Sequence, residues 1–139
     1  MTPGGFAPTC RALLAEGVPV RFRASGSSME PAIRDGELVT VAPPHGGRVR
    51  RGEIVLYASG RRLLAHRVRG AEEDGSVLIC QGDHWRCDQE AVGRDAVIGR
   101  VVAIGPSDAA PAKRSEFRRV GGFLCAGLFW MMRRVRDRW

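Results

Sequence analysis

Ser28 lies in the stretch Gly26-Ser27-Ser28-Met29-Glu30-Pro31, where an alternating run of residues breaks into a turn. A serine hydroxyl is a weak nucleophile until a base takes its proton and nearby amides stabilise the oxyanion that its attack creates. Glycine just before it and a Pro-led turn just after let its own N–H and the turn amides aim at one spot. Serine-rich turns also simply cap helices, so both roles are open to Ser28 at this level. Three histidines could act as base. His66 alternates with Leu64 and Val68, so a strand turns it inward, either as a satisfied core residue or as a base. His84 is the rival, and His45 falls in a Pro/Gly loop expected to face solvent. Cys80, His84 and Cys87 form an incomplete ligand set with no fourth member at finger spacing. No metal and no cofactor is expected.

The elements that must position these groups are short. Eighteen glycines and eight prolines, scattered through 139 residues, suit many turns. Cys10 to Glu16 fits a short helix ended by Gly17. Val18, Val20, Phe22 and Ala24 then alternate with Pro19, Arg21 and Arg23, the period of a half-buried strand. Pro31 to Arg34 allows one helical turn, and Asp35-Gly36 turns into a strand at Leu38 to Val41. Further strands are expected at Glu53 to Tyr57, Leu63 to Val68, Val77 to Gln81 and Ala96 to Ile104. The fold class is therefore all-β. Four segments are expected: 1–17 with the short helix, a β domain over 18–105, a Pro/Ala/Ser linker over 106–116, and a C-terminal helix over 117–139.

In that last segment, residues 120–132 carry no charge and arginines flank them on both sides. As a helix the run would reach about 20 Å, short of the roughly 30 Å of bilayer hydrocarbon. It suits a helix lying at a membrane surface, with docking on the β core as the alternative. No secretory signal and no clear transmembrane span is read, so the expected location is peripheral to a membrane or cytoplasmic. The net charge of +7 arises from 22 basic residues, of which only Lys113 is a lysine. The arginines show no nucleic-acid recognition pattern, and nucleic acid is not expected as a partner. The four cysteines form no CxxC pair and no disulfide framework is expected.

The run SSMEPAIRDGELVTV resembles the nucleophile box of the signal peptidase and LexA-type serine peptidase superfamily. Arg51 to Tyr57 is similar to its second box and Leu64 to Val68 to its base-bearing box. Gln81-Gly82-Asp83 resembles a Gly-Asp box and Val97 to Val101 a final strand box. Together they cover about residues 20 to 105. The resemblance implies the LexA/signal-peptidase-like β fold, Ser28 as nucleophile, and a peptide or precursor-protein substrate cut after a small residue. The bacterial and LexA-type members place a lysine where His66 stands, whereas the endoplasmic-reticulum and archaeal members place a histidine there, which the HRV run matches. Asp83 matches one aspartate of the triad-completing region. Asp88 is the second candidate, although Gln89 follows it where the best-matching members have another Asp. Gly26 stands where many members have a serine, leaving the Ser28 N–H with Ser25 or Ser27 for the oxyanion. Met29 either lines the substrate groove or is plain core.

Two other functions compete with peptide processing. A LexA-type self-cleaving regulator is disfavoured by the mere 20 or so residues before the core and by the position of the one Ala-Gly pair, Ala126-Gly127. A catalytically silent peptide- or membrane-binding homologue is disfavoured by the presence of both Ser28 and His66. Oligomeric state is left open.

Overall fold

The computed structural model describes residues 5–44, 49–106 and 118–119. One helix and an antiparallel sheet make up this part of the chain, in the order α1 (Phe6–Ala15), β1 (Val20–Arg23), β2 (Leu38–Ala42), β3 (Ile54–Ser59), β4 (Arg62–Ala71), β5 (Val77–Gln81), β6 (Gln89–Gly93), a 3₁₀ turn (Arg94–Ala96), β7 (Val97–Gly105) and β8 (Arg118–Arg119). The all-β expectation holds. Helix α1 begins four residues before the expected Cys10, because Pro8 falls in the first turn, where its missing N–H is no loss. The expected helix over 117–139 differs at its start, since Arg118 and Arg119 pair with β7 as a strand. The rest of that segment, most of the linker and His45 lie outside the described residues.

The strands follow the order β1-β2-β7-β3-β4-β5-β6, with β8 added to β7. β7 therefore joins two parts that are separate in sequence: the β1–β2 hairpin before it and the β3–β6 meander after it. The cross-strand pairs Val55↔His66, Val68↔Cys80 and Cys80↔Glu90 place those side chains on one face. That face carries a core of Val55, Tyr57, Val68, Leu78, Cys80, Val92 and Val97. The opposite face of β3 carries Ile54 and Leu56 into a second core with Leu14, Met29, Val39, Val41 and Val101. Strand β3 is thus buried on both faces, which is why it reads as an unbroken apolar run and not as an alternation. Gly99 lies where β7 crosses Val41 and Leu14, and a Cβ there would meet the Val41 side chain and the Ala42 carbonyl.

Candidate active site

Residues 24–37 form a turn stapled at its base by Ala24 N–H to the Glu37 carbonyl and Gly36 N–H to that of Ala24. Gly26 has φ +93, a conformation open to glycine, and donates its N–H to Asp35 Oδ1 at 2.8 Å. The Gly26 amide is therefore occupied and is not an oxyanion donor. Ile33 N–H donates to the Met29 carbonyl at 2.9 Å, closing a non-helical turn over 29–33 in place of the helical turn expected at Pro31 to Arg34. Met29 is 4% exposed, is part of the core and also lines the groove beside Ser28, so its two alternatives coincide. Among the described residues no acceptor takes the Ser28 N–H, while Ser27 is exposed at the rim of the cleft.

The segment after β5 holds this turn from the other side. The Ser28 carbonyl accepts the His84 N–H at 3.0 Å and the Cys87 thiol at 3.6 Å. Gly82 is buried against the same carbonyl: a Cβ there would collide with Ser28 O and lie 2.7 Å from Cys87 Sγ. The backbone passes this close only because residue 82 has no side chain.

His66 projects from β4 with its Nε2 at 3.3 Å from Ser28 Oγ. Its Nδ1 lies 2.9 Å from the Tyr57 hydroxyl, which itself donates to Glu90 Oε2 at 2.7 Å. Burial pushes the pKa of His66 below its ordinary 6.5, against the opposing pull of the Glu90 and Asp83 charges. The Tyr57 hydroxyl is pushed far upward by burial and by the Glu90 carboxylate, so it keeps its proton. The imidazole is thus favoured in its neutral form, with the Tyr57 hydroxyl at Nδ1 and the Ser28 hydroxyl at Nε2.

The expected third member of the triad differs from what is found. Asp83 accepts two hydrogen bonds from Arg67, at 2.8 and 2.7 Å, and lies 3.3 Å from Arg69. No hydrogen bond joins it to His66. Alternation explains this, since Arg67 points to the face of β4 opposite His66 and takes Asp83 with it. Asp88 is exposed and, among the described residues, has no hydrogen-bond or ion-pair partner. His84 contributes its main chain, and its ring stacks on Trp85 at 5.8 Å instead of facing Ser28 Oγ. Tyr57 and Glu90 are the residues that sequence reasoning missed. Tyr57 read as strand filling. Glu90 belongs to β6, where only Val92 is buried and no alternation marks a strand.

Two openings meet at Ser28. An apolar groove of about 1110 Å³ runs past Phe22, Ala24, Met29, Leu63 and Ala65. A second cleft of about 690 Å³ holds His66, His84, Trp85 and Cys87. Trp85 is 80% exposed at its rim, with the Arg86 guanidinium 4.6 Å from the ring centre.

Residues 16–102 match the Peptidase S24-like family. The chain belongs to this family. Among curated proteins, none matches the chain. Peptidase S24-like membership accounts for the curled β architecture. Within the S24-like domain, Ser28 comes from the turn between β1 and β2 and His66 from the middle of β4, and the fold brings them together. No helix among the described residues is long and apolar enough to cross a membrane.

Proposed function

We propose that the chain is a serine endopeptidase of the histidine-bearing signal-peptidase type, cutting a signal or leader-like peptide after a small residue. The observation that carries this reading is the 3.3 Å approach of His66 Nε2 to Ser28 Oγ. His66 takes the proton of Ser28 while Oγ bonds to the scissile carbonyl carbon, and the carbonyl π pair moves onto oxygen, facing the Ser28 N–H. The tetrahedral species then expels the amine, which takes the proton from Nε2, and water releases the acyl group by the same route in reverse. The acyl side of an extended peptide lies in the apolar groove, where Ala58 and Ala65 leave room for small side chains. The edge strand β1 has one side unpaired among the described residues and offers it for strand addition. The basic segment around 117–139 supplies contact with a membrane surface in this reading.

Cleavage of synthetic peptides carrying alanine before the scissile bond tests it. Ser28→Ala and His66→Ala are expected each to abolish cleavage, by at least about 10³-fold, with the thermal transition kept. Wild-type turnover by either variant overturns the proposal. Shortening of the purified protein itself before substrate is added points to self-cleavage instead.

A further inference from the structure

A phenol carries one proton, and the Tyr57 hydroxyl has two neighbours, His66 Nδ1 at 2.9 Å and Glu90 Oε2 at 2.7 Å. A carboxylate offers only lone pairs, so the phenolic proton goes to Glu90. The phenolic oxygen must then accept from His66, which places hydrogen on Nδ1 and leaves the lone pair of Nε2 aimed at Ser28. That is the tautomer a general base requires, and here no carboxylate touches the ring to impose it.

We propose that Tyr57 and Glu90 are positioning residues of the serine site, jointly taking the place on Nδ1 that a triad carboxylate would hold. This rests on the serine-peptidase reading for its effect on turnover, though the tautomer itself can be read without any substrate. Tyr57 is 1% exposed and packed among Val55, Val68, Leu78 and Cys80, so the ring has no freedom to turn its hydroxyl elsewhere. Glu90 reaches in from β6, at the end of the strand order, across from Cys80. During attack the proton leaving Ser28 Oγ ends on Nε2, and the Nδ1 proton stays where it is. The imidazolium so formed donates to a phenol oxygen already polarised by Glu90 and is stabilised through it. The charged and titratable groups around the ring are Glu90 on β6, Asp83 after β5, Tyr57 on β3, Cys80 on β5, and Arg62, Arg86, His84 and Cys87 lining the cleft.

The test compares wild type with Tyr57→Phe, Glu90→Gln and Glu90→Asp, each checked by thermal melting. Nitrogen-15 NMR of the free proteins reads the His66 tautomer, and peptide kinetics reads kcat, KM and their pH dependence. Wild type is expected to show hydrogen on Nδ1. Tyr57→Phe and Glu90→Gln are expected to mix the two tautomers and lower kcat about 10- to 100-fold with KM little changed. Glu90→Gln also moves the acidic limb of the rate profile to lower pH, because the charge that holds the His66 proton is gone. Glu90→Asp is expected to recover part of the loss. Hydrogen on Nε2 in wild type, or variants that keep both tautomer and kcat, overturns the proposal. If wild type cleaves nothing, the peptidase reading fails alone, and the tautomer measurement still decides the role of the pair.

Discussion

In the proposed reaction, the chemistry of a single imidazole sets how cleavage depends on pH. His66 works as a base only when neutral, and its pKa is lowered below 6.5 by burial. The rate of peptide cleavage should therefore rise with pH through a midpoint below 6.5 and be level by neutrality, measured as kcat/KM from pH 4 to 8. A midpoint near pH 9 would mean that another group is the base. Asp83 behaves differently from a triad member. Its carboxylate is 13% exposed and joins Arg67 and Arg69. Asp83→Asn weakens a charge-assisted, partly buried pair, and a stability loss of about 1–3 kcal/mol is expected in urea unfolding, with the tautomer of His66 unchanged.

At the scale of elements, the turn that carries Ser28 is set from two directions: by Asp35 on the Gly26 amide and by the His84 amide on the Ser28 carbonyl. Gly82 makes the second clamp possible. In Gly82→Ala the new methyl must push the Ser28 carbonyl or Cys87 aside. The expected result is a loss of about 1–3 kcal/mol in stability together with a fall in kcat. A variant with wild-type kcat would show that the clamp does not hold the nucleophile. Much of this level was legible in advance. Alternation located β1, turn residues and apolar runs located β2, β3, β4, β5 and β7, and the Ser-Met-x-Pro and His-Arg-Val runs singled out Ser28 and His66. Strand β6 was not legible, because a short edge strand with one buried residue has no period to read. Tyr57 and Glu90 were hidden for a related reason: 33 residues separate them, and only the register across β4 and β5 brings them together. Asp83 was singled out by its match to the Gly-Asp box, and such a match does not say which face of the sheet a side chain takes.

At the scale of the whole molecule, the hairpin that leads into Ser28 and the meander that bears His66 share one central partner, β7. Val101 is 4% exposed in that strand and pairs with Val41. Val101→Pro removes a ladder N–H and strains the centre of the sheet, at a cost of about 3 kcal/mol or more. Loss of activity and loss of the folded baseline should then coincide in a thermal scan, where damage at the groove alone would leave the baseline intact. The same arrangement bears on synthesis. A ribosome has delivered both serine and histidine long before it reaches residue 97, yet until the linking strand emerges the two halves have no sheet in common. Under the peptidase reading, a half-made chain cannot cut its neighbours, and cleavage must wait until β7 has been made.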